Sequence, residues 1–141
     1  MNVQQGHIGP APRPATIRSR RVLLAGFLAE VALIVVAVPL FFLPNAQTVL
    51  NLAIPPASFV VLVGFGWWAA RGMARSAVLN GALAGLAGVV IYLALVMGAA
   101  AVGHRDIWAS FTPAYLLAHA LKLAGGGLGG WIAGRSAPSA A

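Results

Sequence analysis

Long apolar stretches separated by short polar breaks dominate this chain. Four of them approach the roughly 20 residues that a helix needs to cross the hydrocarbon core of a membrane. Their approximate ranges are 22–43, 54–70, 77–102 and 112–134. The chain is 60% hydrophobic and only 8% charged, whereas soluble domains carry roughly 25% charged residues. The pattern predicts an all-α integral membrane protein, a bundle of four transmembrane helices.

The basic residues follow alternate ends of the predicted spans. They comprise Arg13, Arg18, Arg20 and Arg21 before the first span, Arg71 and Arg75 between the second and third, and Arg135 after the fourth. The other two connections hold only Arg105, beside Asp106. This bias is the positive-inside pattern. It predicts an up-down-up-down bundle in the bacterial inner membrane with both termini cytoplasmic.

The same charges define the expected domains and partners. We expect residues 1–21 to be a disordered basic cytoplasmic tail, 22–135 the transmembrane domain, and 136–141 a short cytoplasmic tail. The apolar run after the first arginines is too long for the 7–15-residue core of a cleaved signal peptide. The net charge of +7 is better explained by anionic lipid headgroups than by nucleic acid.

Prolines and tryptophans mark the ends of the second and fourth spans. Pro55 and Pro56 are expected to begin span two, because proline suits the first turn of a helix. The tryptophans Trp67, Trp68 and Trp131 fall near the arginine-rich ends, as in an aromatic belt. We expect these rings and the neighbouring Arg71, Arg75 and Arg135 to anchor the bundle at the membrane interface.

Polar residues and glycines share one face of the fourth span. Helical spacing places Tyr115, His119 and Lys122 on the same side as Gly126, Gly129 and Gly130. The third span has a matching face formed by Gly81, Gly85, Gly88 and Tyr92. Small residues let membrane helices approach closely. Spans three and four are therefore expected to pack face to face in their cytoplasmic halves.

The depth of Lys122 in the membrane predicts its partner. Glu30 is the only acidic residue in any predicted span. Counted from the cytoplasmic ends at 1.5 Å per residue, Glu30 and Lys122 differ in height by about 5 Å. We predict that they form an ion pair, which either fixes the helix arrangement or belongs to a functional site for a proton, ion or lipid headgroup. His119 and Tyr92 stand level and are expected to hydrogen-bond.

Three motifs resemble those of a known group. They are GFGWWAAR at 64–71, NGALAG at 80–85, and Lys122 followed by the paired glycines of 126–130. The chain resembles a broad set of small four-span bacterial membrane proteins with glycine-pair motifs. That group is uncharacterised, so the resemblance implies the fold and no activity.

The residues that chemistry needs are scarce. The chain has no cysteine and two acidic residues, and no nucleophile–base set is visible. We expect no catalytic residues, no metal and no cofactor; only a lipid-modifying activity using His119 and Tyr115 is conceivable.

The expected function is that of a small non-catalytic membrane protein. It would act as a scaffold, an accessory subunit or a homo-oligomer through its glycine-lined helix faces. The alternative is a small-solute or proton-coupled transporter that uses the cluster of Glu30, Lys122 and His119. The expected partners are the lipid bilayer, including anionic headgroups, and further copies or a larger membrane complex, with no nucleic acid.

Overall fold

The described residues form four helices and no other regular element. The computed structural model describes residues 15–73, 75–103 and 111–137. The helices are α1 (Ser19–Leu40), α2 (Ala46–Ala70), α3 (Ala77–Gly103) and α4 (Pro113–Arg135). Helices α1, α2 and α3 are long and apolar enough to cross a membrane. Large hydrophobic side chains are exposed along their outer faces, which is compatible with a lipid environment.

Close approaches between backbones fix the directions of the helices. Gly85 of α3 lies against Lys122 of α4, and Gly130 of α4 lies against Ala77 of α3, so these two helices run antiparallel. Helices α2 and α4 run parallel, because Phe59 meets Gly125 and Val63 meets Gly129. Helix α1 packs on α2 and α3. Each helix is therefore antiparallel to its neighbour in sequence.

Helix α4 packs between α2 and α3 through its glycines. The positions with no room for a Cβ atom toward a neighbouring helix include Gly66, Gly81, Gly85, Gly125, Gly126, Gly129 and Gly130. The predicted contact between α3 and α4 is present. The equally close contact of α4 with α2 was not predicted. Helices that meet through glycine gain dispersion contacts between backbones, which is the main source of association where lipid offers no hydrophobic drive.

Helix α2 begins earlier than its prolines indicated. The prediction that Pro55 and Pro56 begin this span is wrong, because α2 starts at Ala46 and holds both prolines inside it. A proline ring removes one backbone donor and crowds the preceding turn. In an apolar surrounding, however, residues 46–54 have little water to satisfy their peptide groups, so helical hydrogen bonding is the favoured solution.

The segment before α1 is held by α3. The side chain of Asn80, which is fully buried, accepts a hydrogen bond from the Arg18 backbone N–H at 2.8 Å and donates to the Thr16 carbonyl at 3.0 Å. The Thr16 N–H donates to Ser76 Oγ at 3.0 Å. The expectation of disorder is therefore wrong for residues 15–21, since α1 already begins at Ser19. Residues 1–14, including Arg13, lie outside the described part of the chain.

Arginines and tryptophans meet at one end of the bundle. The guanidinium carbons lie over indole rings in three pairs, Arg21–Trp68 at 5.9 Å, Arg71–Trp67 at 5.2 Å and Arg135–Trp131 at 3.7 Å. Arg75 is exposed at the same end. These contacts gather the charged groups and the amphipathic rings into one belt. Arg105 and Asp106 lie outside the described residues.

The glycine contacts of α4 lead to a testable prediction about two adjacent residues. A Cβ at Gly126 would strike the backbone of Gly81 and Gly85, whereas a Cβ at Gly127 would meet nothing within 4 Å. We expect Gly126→Ala to lower the free energy of unfolding by about 1–3 kcal/mol through overpacking. Thermal unfolding in detergent measures the difference.

Gly127→Ala is the matched control. We expect it to stabilise the helix by about 0.5–1 kcal/mol, because alanine loses less backbone entropy than glycine. Equal effects of the two substitutions would show that α4 does not pack through this face.

Candidate functional site

A buried ion pair connects the first and last helices. Lys122 Nζ lies 2.5 Å from Glu30 Oε1, and the side chain of each is only 3% exposed. The predicted contact between these residues is therefore present. Helices α1 and α4 make no extensive contact elsewhere. The pair thus bridges two helices that α2 and α3 otherwise hold apart.

Glycines of α3 make room for both partners. A Cβ at Gly88 would lie 2.9 Å from Glu30 Oε1, so the carboxylate occupies space that any other residue would fill. Gly85 lets the backbone of Lys122 approach α3 in the same way. A charge removed from water is tolerated only when it is paired and hydrogen-bonded. The small residues of α3 are what allow that pairing here.

Three aromatic rings form a cluster beside the cation, on the side away from the arginine belt. Lys122 Nζ lies 4.8 Å from the centre of the Tyr92 ring. Tyr92 contacts His119 at 5.3 Å and Tyr115 at 5.6 Å between ring centres, and Tyr115 contacts His119 at 4.2 Å. Such tilted and edge-on contacts are the preferred geometries of aromatic pairs.

The predicted hydrogen bond between His119 and Tyr92 is wrong. The two rings meet edge to face, and among the described residues neither ring nitrogen of His119 has a hydrogen-bond partner. Counting residues along each helix predicted that the two rings lie at the same depth. It gave no information on the orientation of the rings. Their contact is one of ring edge against ring face.

A cavity of about 610 Å³ opens above the ion pair. Glu30, Lys122 and His119 line its inner end, and Phe41, Gln47 and Thr112 lie at the ends of the helices farthest from the arginine belt. Helices α1, α2 and α4 form its walls, with Tyr92 contributed by α3. The glycine contacts close the bundle on the opposite side of the ion pair.

Helix α2 contributes a polar edge to this cavity that the sequence reasoning missed. Gln47, Asn51 and Ser58 all line it, together with Pro55. These positions recur at helical spacing and belong to one face. The helical spacing of these positions is visible in the sequence. It was missed because span two was predicted to begin near residue 54, which left Gln47 and Asn51 outside the helix.

Four polar atoms in this region are buried without a partner. They are Ser58 Oγ, the Tyr115 hydroxyl, and Nδ1 and Nε2 of His119, none of which has a hydrogen-bond partner within the part of the chain that the structure describes. Buried polar atoms are nearly always satisfied, and each exception calls for an explanation. All three residues line the cavity, so the unpartnered atoms lie beside one shared space.

The described residues provide no cluster of metal ligands. Over residues 15–73, 75–103 and 111–137, no group of three or more His, Asp or Glu side chains is placed to hold a metal ion. Comparison of the chain with protein families, curated proteins and solved structures finds no match. The geometry of the cavity is therefore the basis for assigning a function.

The ion pair makes a testable prediction about stability. We expect Glu30→Gln or Lys122→Met alone to lower the free energy of unfolding by about 3–5 kcal/mol, because each leaves one buried charge without a counterion. Thermal and denaturant unfolding in lipid-like detergent measure both.

The double variant is the control. Glu30→Gln with Lys122→Met leaves no buried charge, so most of the lost stability is expected to return. Additive losses in the double variant would mean that the two side chains do not interact in the folded protein.

Proposed function

We propose that this protein is a small-solute transporter or solute-binding protein of the bacterial cytoplasmic membrane, with four spans and both termini in the cytoplasm. The cavity above the Glu30–Lys122 pair is its binding site. The observation that carries the proposal is the convergence of unpartnered Ser58, Tyr115 and His119 on that one cavity. Binding sites characteristically combine apolar walls with a few convergent polar groups.

We propose that α4 is the fourth membrane span. Its average hydropathy is lowered by His119, Lys122 and the glycines, but all of these residues except Gly127 face the other helices or the cavity. Its outward residues are apolar, and the large ones among them are Leu116, Leu117, Leu123, Leu128, Trp131 and Ile132. A helix whose polar residues face the interior of the bundle presents lipid with an ordinary apolar surface.

The orientation rests on the arginine belt. Arg18, Arg21, Arg71 and Arg135 gather at one end of the bundle, and the positive-inside rule assigns such an end to the cytoplasm. Anionic headgroups of the inner leaflet are the partners proposed for these side chains. The cavity then opens toward the opposite side of the membrane.

A second candidate is a non-catalytic accessory subunit or homo-oligomer. The six glycines expected to mediate such contacts are occupied inside the bundle, but Gly64, Gly98 and Gly127 have open space where a Cβ would stand. Those positions would let a helix of another subunit approach. A catalytic role is not proposed, because within the described residues no hydroxyl nucleophile is hydrogen-bonded to His119.

Single-cysteine variants test the cavity, and the natural chain has no cysteine to interfere. Ile54 and Ala69 both lie in α2, but Ile54 lines the cavity and is partly exposed, whereas Ala69 is 0% exposed and lies outside it. We expect a small, membrane-impermeant methanethiosulfonate reagent added outside to modify Ile54→Cys and to leave Ala69→Cys unmodified. Equal protection of both cysteines would contradict a cavity open to water.

The same reagent tests the fourth span. Thr112 and Ser136 flank α4, so we expect Thr112→Cys to react from outside and Ser136→Cys only after the membrane is permeabilised. Reaction of both from one side would show that α4 does not cross the bilayer.

A further inference from the structure

We infer that the cavity takes an uncharged amphipathic molecule, one with a hydroxyl- or carbonyl-bearing head and an apolar body. The inference rests on the proposed function, because it names the ligand class of the same cavity. It follows from three properties of the lining, which are its charge balance, its free hydrogen-bonding groups and its apolar walls.

The charges of the cavity are already matched. Glu30 and Lys122 are the only Asp, Glu, Lys or Arg side chains among its lining residues, and they are paired with each other. A charged ligand would enter without a counterion or would have to separate this pair. Both alternatives leave a charge desolvated and unpaired, which is strongly unfavourable. The charge balance therefore selects an uncharged molecule.

The free polar atoms define the head of that molecule. Ser58 and Tyr115 each offer a hydroxyl that both donates and accepts, and an uncharged His119 ring offers one donor and one acceptor. None of these groups has a partner among the described residues. A hydroxyl or carbonyl group of the ligand would satisfy them, and leaving such groups unsatisfied is more unfavourable than the average hydrogen bond is favourable.

The walls define the body. Leu33, Ile34, Val38, Phe41 and Ile54 also line the cavity. Its volume of about 610 Å³ falls within the roughly 300–1,000 Å³ of small-molecule sites. The head would lie near His119, and an alkyl or aromatic body would cover the apolar side chains toward the open end.

The space between α1 and α4 is where the body would lie. These helices make no extensive contact with each other, and the cavity occupies the gap between them above the ion pair. Such a molecule can come from the bilayer or from the aqueous side, and the same hydroxyl or carbonyl chemistry would recognise it in both cases.

Photo-crosslinking with charge-matched probes tests the inference. Three diazirine probes share one alkyl chain and end in an alcohol, a sulfate or a trimethylammonium group. In proteoliposomes of the full chain, we expect the alcohol to label peptides of the cavity wall, residues 33–41 and 50–58, several-fold more than either charged probe. Labelling by a charged probe equal to or above that of the alcohol would overturn the inference.

A pair of serine variants separates the cavity from the rest of the surface. We expect Ser58→Ala to reduce wall labelling by the alcohol probe roughly three- to tenfold through one lost hydrogen bond. Ser76→Ala makes the same chemical change at the arginine end and is expected to leave labelling unchanged. Unchanged labelling in Ser58→Ala, or an equal loss in both variants, would contradict binding of the ligand beside Ser58 in the cavity.

Competition identifies the source of the ligand. Unlabelled hexanol in the buffer and monoolein in the bilayer compete for the same site, and stronger competition by one of them assigns the aqueous or the lipid route within the proposed class. Failure of both to compete would overturn the class. If Ile54→Cys reacts with the thiol reagent while no probe labels the wall, the ligand class is wrong and the proposed cavity remains.

Discussion

The ion pair between Glu30 and Lys122 is the interaction on which the rest of this structure depends. A lysine at the centre of a membrane helix costs about 2.5–3.5 kcal/mol on insertion scales, and each leucine of α4, the proposed fourth span, returns only about 0.3–0.6 kcal/mol. The chain supplies one carboxylate at the matching depth, on α1. Because α1 and α4 both pack on α2 and α3 but make no extensive contact with each other, this ion pair is the main direct connection between the first and last helices.

The pair also divides the bundle into two halves of different character. Toward the arginine belt, glycines bring α2, α3 and α4 into backbone contact, and Asn80 holds the chain that enters α1. Toward the other end, side chains replace glycines at the interfaces and the helices leave a cavity. The closely packed half supports the Glu30–Lys122 pair and the aromatic rings. Such rigid support is what the proposed binding site requires.

The ion pair and the glycine contact of α3 with α4 could be predicted from the sequence, because both follow from helical rise and spacing. Helical counting gave the depth of Glu30 and Lys122, and a single carboxylate left one choice of partner. The cavity was not predicted, since Pro55 and Pro56 were taken as a helix start and the polar edge of Gln47, Asn51 and Ser58 was lost. Asn80 was missed because a polar residue near a membrane interface has several ordinary roles, and only the tertiary fold brings Thr16 and Arg18 to it.

Solid-state NMR in lipid bilayers tests the central contact most directly, because the chain contains one lysine and one glutamate. Labelling lysine with ¹⁵N at Nζ and glutamate with ¹³C at Cδ therefore gives one spin of each kind. We predict a strong dipolar coupling between them, as expected for a direct hydrogen bond between ammonium and carboxylate. The absence of that coupling, with the protein folded and inserted, would contradict the account.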